Sequence, residues 1–259
     1  MTLLKHSSTV LDRYNQQIRR SPAAGPDGIV ERDDRVIRCV SAEWTGVSWS
    51  DLDEETVDAA ISRQLERFRG LGRAWEWKHY SGDEPADLSD RLLVAGFVAE
   101  PSETLLVAEI GDLDLDVRPP SGVTLEPVID AAGAALLVGV HDEVFGGDHS
   151  AIGAAVLADI DRDRRTVVAI LAMAGNRAVS SGRLEFVHGT DFAGIWGGGT
   201  LPQWRGRGVF RSLVAHRARL ALDAGFRYLQ VDATADSRPI LNKLGFVELA
   251  TTTPFVHPG

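Results

Sequence analysis

Residues 197–211 read Gly197-Gly198-Gly199-Thr200-Leu201-Pro202-Gln203-Trp204-Arg205-Gly206-Arg207-Gly208-Val209-Phe210-Arg211, and they decide how the rest of the chain is read. An apolar run from Phe192 leads into them. An amphipathic run with Phe210, Leu213, Val214 and Ala221 on one face leads out. The order is strand, tight loop, helix. The first turn of a helix has backbone N–H groups without intrahelical partners and carries partial positive charge. Glycines at 206 and 208 leave those donors uncovered, so Gln203-x-x-Gly206-x-Gly208 can hold a pyrophosphate. Arg205, Arg207 and Arg211 add cationic donors around it.

Rival motifs fail on spacing. Arg211 stands where a dinucleotide fingerprint needs its third glycine, and no Lys-Ser/Thr follows as a P-loop demands. No His/Cys/Asp group has zinc spacing, so no metal is expected. The single cysteine, Cys39, lies in the strand-like run Val36–Val40 and reads as a small core residue.

The chain has 259 residues and a net charge of −10, which argues against a nucleic-acid or anionic-membrane surface. Residues 1–120 hold 23 of the 37 acidic side chains, so the first half carries most of the imbalance and the second half the arginine cluster. One basic loop on an acidic protein suits a small anionic cofactor better than a polyanion. No apolar run reaches the ~20 residues of a membrane span. Met1–Val10 lacks a signal-peptide core, so a cytoplasmic address and a monomer or homodimer are expected. Trp44, Trp49, Trp75, Trp77, Trp196 and Trp204 read as core residues, and Arg217 and Arg219 as the solvated side of the helix after the loop.

Residues 1–29 read as an N-terminal extension, a helix and then a loose connection through Ser21–Gly28. Strands are expected at Val36–Val40, Trp75–Tyr80 and Thr104–Ile110. Helices are expected at Leu52–Leu71 and through Leu88–Leu93. Gly111–Gly122 is polar and ends in a proline pair, which places a domain boundary between residues 118 and 121. Beyond it come a strand at Val123–Pro127, helices at Ala131–Phe145 and Ser150–Ile160, and a hairpin of Thr166–Ala174 with Ala178–Val187. Then follow Phe192–Thr200, the helix Val209–Ala224, a strand Tyr228–Ala233, a short helix Ser237–Leu244 and a last strand Phe246–Val256. Both halves contain strand, acidic turn, short helix and then Gly-Phe-Val, at Gly96-Phe97-Val98 and Gly245-Phe246-Val247. The likeness suggests either an internal duplication or a chance match, since a glycine closing a short helix before a strand is common.

The order strand, two helices, hairpin, strand, Gln-x-x-Gly-x-Gly, helix, strand, helix, strand resembles the GNAT acyltransferase superfamily. So does Leu244-Gly245-Phe246, which matches that family's frequent "LGF" signature. The resemblance implies an α/β fold with a mixed sheet, in tandem. Residues 30–118 would be a degenerate GNAT-like copy and 121–259 the acetyl-CoA-binding domain. It implies acetyl-CoA, or another acyl-CoA, as co-substrate. The N–H groups of Arg205, Gly206, Arg207, Gly208, Val209 and Phe210 would hold the pyrophosphate, with Gln203 and Arg211 in the same motif. The strand Gly198, Gly199, Thr200 and Leu201 would pair with the pantetheine arm. Ser237 is either a contact to that arm or a helix cap.

The implied chemistry is direct attack of an amine on the thioester, which needs a base, an oxyanion donor and an acid for the thiolate. The family's usual acid is a tyrosine four residues before the glycine of "LGF". Leu241 stands there, so either another group serves, the thiolate leaves unaided, or the protein binds acyl-CoA without turnover. Tyr228, at a strand start, suits packing. Candidate bases are Glu185, Asp191, His149 in the run Phe145-Gly146-Gly147-Asp148-His149, and the run His141-Asp142-Glu143, where His141 reads as a surface or capping residue. The acceptor is expected to be a small-molecule amine, cationic if the acidic first half attracts it.

Overall fold

The computed structural model describes residues 7–25, 28–41, 44–160, 162 and 165–259. Met1–His6, Pro26 and Asp27, which belong to the expected N-terminal extension, lie outside the described residues. In chain order the elements are α1 (Ser7–Tyr14), a π turn (Asn15–Arg19), β1 (Ile29–Asp33), β2 (Val36–Val40), β3 (Thr45–Ser50), α2 (Val57–Phe68), β4 (Trp75–Tyr80), α3 (Leu88–Val94), β5 (Val98–Ala99) and β6 (Glu103–Glu109). They continue with β7 (Val123–Pro127), α4 (Ala131–Phe145), α5 (Ser150–Ile160), β8 (Val167–Ala174), β9 (Arg177–Phe186), β10 (Phe192–Thr200), α6 (Val209–Asp223), β11 (Tyr228–Ala233), α7 (Arg238–Lys243) and β12 (Val247–His257). This is the mixed α/β fold that the sequence implied.

Three strands, β1, β3 and the two-residue β5, were not foreseen. Thr45, Ser48 and Ser50 give β3 the composition of a loop, yet all three are buried. The helix expected from Leu52 starts only at Val57. The Asp53 carboxylate accepts from the backbone N–H of Glu55 and Thr56 and holds the chain in a turn first.

The chain divides into two compact units. Among the described residues, one, the C-terminal unit, comprises Val107–Val231 and Leu241–Phe246; the other, the N-terminal unit, comprises those up to Leu106, with Asp232–Ile240 and Val247–Gly259. These are not the contiguous blocks 30–118 and 121–259. The last strand is the reason: β12 pairs antiparallel with β4 from Thr252↔Tyr80 to His257↔Trp75, and also with β5. Which distant strand a segment pairs with leaves no mark in local sequence.

In the C-terminal unit the strands run β11-β10-β9-β8-β7, with β10 and β11 parallel and the rest antiparallel. Helices cover both faces, which is why β8 reads as an unbroken apolar run. Ala169, Leu171 and Met173 meet Leu137, Val140 and Val156 of α4 and α5. Ile170 and Ala172 meet Val209 and Leu213 of α6. In the N-terminal unit, Val57, Ile61 and Phe68 of α2 and Leu88 and Leu92 of α3 pack with Trp75 and Trp77.

The Gly-Phe likeness between the halves is a shared helix ending. After α3, Gly96 N–H donates to the Leu93 carbonyl and Phe97 N–H to that of Leu92, with Gly96 at φ +96°. After α7, Gly245 donates to Asn242 and Phe246 to Leu241, with Gly245 at φ +106°. Both are Schellman closures, which need a left-handed residue and bury the one after it. Phe97 and Phe246 are both buried.

Candidate functional site

The parallel pair β10–β11 is short. Register runs only from Phe192↔Tyr228 to Gly194↔Gln230. On its other edge β10 stays with β9 as far as Thr200↔Ser180, with a bulge between Trp196 and Gly199. From Ile195 onward, β10 therefore has one edge outside the β11 ladder. Backbone donors and acceptors on such an edge can pair with an extended ligand.

The glycine–arginine loop follows at the end of that edge. Gly206 (φ +73°) and Gly208 (φ +86°) occupy conformations that other L-residues adopt only with strain. Gly208 caps α6 with no side-chain hydrogen bond. Arg205 Nε donates to the Thr200 carbonyl at 3.0 Å, which ties the loop back to β10. Arg207 lies over the Trp204 ring, 4.9 Å from its centre. Arg211 pairs with Asp114 at 2.9 Å on the surface. Gln203, Arg205, Gly206, Arg207 and Gly208 are exposed, whereas Thr200, Leu201 and Val209 anchor the loop in the core. The Phe210 ring fills the side-chain space of Gly198: a Cβ there would stand 2.8 Å from it.

The bulge carries a second cluster, on the α4 face. Gly197 sits at φ +58°, and a Cβ on it would lie 2.5 Å from His141 Nε2 and 3.6 Å from Arg183 Nη1. His141 is not a surface or capping residue; it is 1% exposed. Its Nδ1 donates to the Leu137 carbonyl at 3.0 Å, since a carbonyl can only accept. That tautomer leaves a lone pair on Nε2, which is buried without a partner. Arg183 Nη1 is likewise buried and unpartnered, while Arg183 Nη2 lies 3.8 Å from Glu185. Burial, with Arg183 nearby, pushes the His141 pKa down, so the ring is neutral at neutral pH. The sequence offers His141 as one of several candidate bases but hides its burial, and it does not single out Arg183, because an arginine on a strand looks like surface.

The other candidate bases are spread out. His149 Nδ1 and the Asp142 carboxylate are 2.9 Å apart, and the His149 ring centre is 5.6 Å from that of His141. Asp148 accepts from Ser150 N–H at the start of α5. Glu185 pairs across β9–β10 with Gly194, three residues before Gly197 and roughly 10 Å from it by strand rise. Asp191 precedes β10 and accepts at its carbonyl from Arg227 and Tyr228 N–H, roughly 20 Å from the bulge by the same measure. Ser237 Oγ donates to the Thr234 carbonyl. Leu241 is buried, and Tyr228 is a buried ring stacked on Phe192 at 5.1 Å.

Arg217 departs from the sequence reading. It is fully buried, not on the solvated side of α6. Its guanidinium lies against Gly182, where a Cβ would stand 2.7 Å from Nη1, and it donates to the Leu213 and Arg183 carbonyls. Desolvation pushes its pKa down to about 10. Only Trp75 and Trp77 of the tryptophans are fully buried; Trp49 and Trp204 carry arginines on their faces.

The N-terminal unit repeats the splay and fills it. The β3–β4 parallel ladder covers only Gly46↔Glu76 and Val47↔Trp77. At the next residue, the Ser48 carbonyl accepts from Arg19 Nε, and Ser48 Oγ donates to the Arg19 carbonyl. Arg19 also pairs with buried Asp83 at 2.8 Å and lies 3.7 Å from the centre of the Tyr80 ring. Tyr14 and Tyr80 share a hydrogen bond beside it.

No family model matches the sequence, and no curated protein matches it significantly. Solved structures do. A GCN5-related N-acetyltransferase from Kribbella flavida superposes with a TM-score of 0.70 at 18% identity, over 98% of this chain and 96% of that one. A GCN5-related N-acetyltransferase from Sphaerobacter thermophilus gives 0.60 at 11% identity, over 97% and 85%. A tandem GNAT protein from the clavulanic acid biosynthesis pathway gives 0.61 at 13%, over 90% and 84%. These likenesses span both units, and the chain has the fold of the GCN5-related N-acetyltransferases in its tandem form.

Proposed function

We propose that the C-terminal unit is an acyl-CoA-dependent N-acyltransferase. The observation that carries this is the β10 edge beyond Gly194, which leads into a glycine loop at a helix N-terminus. The edge suits an extended amide-bearing arm, and the loop suits a pyrophosphate. The residues proposed to bind are Gly198–Leu201 for the arm, then Gln203 and Arg205–Arg211 for the phosphates, with Ser237 a further contact. The acyl group would then lie at the Gly197–Gly199 bulge.

His141 is the proposed base. Neutral and tautomerically fixed, it can accept a proton from an ammonium at Nε2. The nitrogen then attacks the thioester carbonyl, a C–N bond forms and the C–S bond breaks. One proton reaches solvent through His141, and the second goes from the nitrogen to the departing sulfur. Glu185, which bears on Arg183, and His149, held by Asp142, are proposed as supporting groups. Asp191 stays in the proposal only as a structural acceptor. The co-substrate proposed is acetyl-CoA, and the acceptor a small amine.

Buried Leu241 at the acid position favours a second reading, an acyl-CoA sensor without turnover. Free-thiol release from acetyl-CoA across an amine panel separates the two. Amine-dependent release supports the transferase. Binding with no release on any amine supports the sensor.

A further inference from the structure

Resting on the transferase reading, we infer that the acceptor is a zwitterion: a primary amine with a carboxylate one or two carbons away, as in an α- or β-amino acid. Two buried polar atoms without partners lie beside the Cβ position that Gly197 leaves bare. They are His141 Nε2, an acceptor, and Arg183 Nη1, a charged donor, at 2.5 and 3.6 Å from it. A buried polar atom left unpaired is costly, and a ligand that satisfies both atoms removes that cost. The complement of one acceptor and one cationic donor, so close together, is one donor and one anion on a short molecule. The ammonium meets Nε2, and the carboxylate meets the guanidinium.

The local charge agrees. Arg183 bears on His141, and Arg217 lies on the opposite face of β9, donating to the Arg183 carbonyl. Among the described residues, the carboxylates facing this corner are Glu185, 3.8 Å from Arg183 Nη2, and Asp142, which holds His149. Neither engages Nη1. A purely cationic amine would leave Arg183 Nη1 without a partner. The overall acidity of the protein, which suggested a cationic acceptor, is not the field at this point.

The test is thiol release from acetyl-CoA with matched acceptors: the α-amino acids and β-alanine against their amides and decarboxylated amines. Acetyl-CoA binding to the same protein is followed by calorimetry. The inference expects at least tenfold higher kcat/KM for the carboxylated member of a preferred pair. In R183Q that preference should vanish through a raised KM, while acetyl-CoA binding is retained as the folding control, and R183K should restore part of it. Equal or better turnover of carboxylate-free amines overturns the inference and leaves acyl transfer standing. No turnover of any carboxylated acceptor also overturns it. If acetyl-CoA does not bind either, the transferase reading falls with it.

Discussion

His141 Nε2 occupies the space in which a side chain on Gly197 would begin, 2.5 Å from its Cβ position. The bulge in β10 therefore has two reasons to carry glycine, the positive φ and the imidazole. Gly197→Ala should cost about 1–2 kcal/mol from the backbone conformation alone, before any displacement of the ring. Urea unfolding measures the first effect. A loss of acetyl transfer beyond the loss of folded protein measures the second.

His141→Asn keeps a polar group at the same place and removes the base. We expect kcat to fall about 10²- to 10⁴-fold with acetyl-CoA affinity unchanged. The acid limb of the wild-type kcat/KM profile should lie below pH 6.5 and be absent from the residual activity of the variant.

The same histidine links stability to pH. Its pKa in the folded protein is depressed, so between that value and the ordinary 6.5 the unfolded chain binds more protons. Stability is therefore full above pH 6.5 and falls as the pH drops through this window. His79 and His216, also lowered by burial, add to the loss. Urea midpoints at pH 7.5 and 5.5 should differ less in His141→Asn than in the wild type. An unchanged difference would show that the ring is not held neutral.

How much of this was legible in sequence depends on range. The loop, its flanking strand and helix, and the Gly-Phe endings are local chemistry, and they appear where the residues placed them. The partner of β12 was not legible, because nothing in Val247–His257 specifies which strand edge it meets. Arg217 misled for a related reason: it looks like surface until Gly182, from far along the chain, supplies the space that takes it in. Arg19 and Arg183 were not singled out at all, because the Ser48 carbonyl and the Gly197 bulge they lie against are equally non-local.

In the N-terminal unit, Arg19 and Ser48 close the splay with a reciprocal pair of hydrogen bonds. Arg19→Ala should destabilise the protein by about 3–5 kcal/mol, because it leaves the Asp83 carboxylate buried without its cation. Thermal unfolding checks this. The closed splay also predicts that this unit takes up no acyl-CoA.

At the loop, Gly208→Val forces a β-branched residue into φ +86° at the mouth of α6. Acetyl-CoA affinity should drop by at least tenfold with little change in the fold. Arg207→Ala, which removes an exposed charge stacked on Trp204, should weaken binding several-fold, more at low salt than at high.

The most direct measurement is calorimetric titration of the wild-type chain with acetyl-CoA. The account predicts saturable binding in the range of about 1 μM to 1 mM, one molecule per chain, lost in Gly208→Val. No heat at millimolar acetyl-CoA, or two equivalent sites per chain, would contradict it.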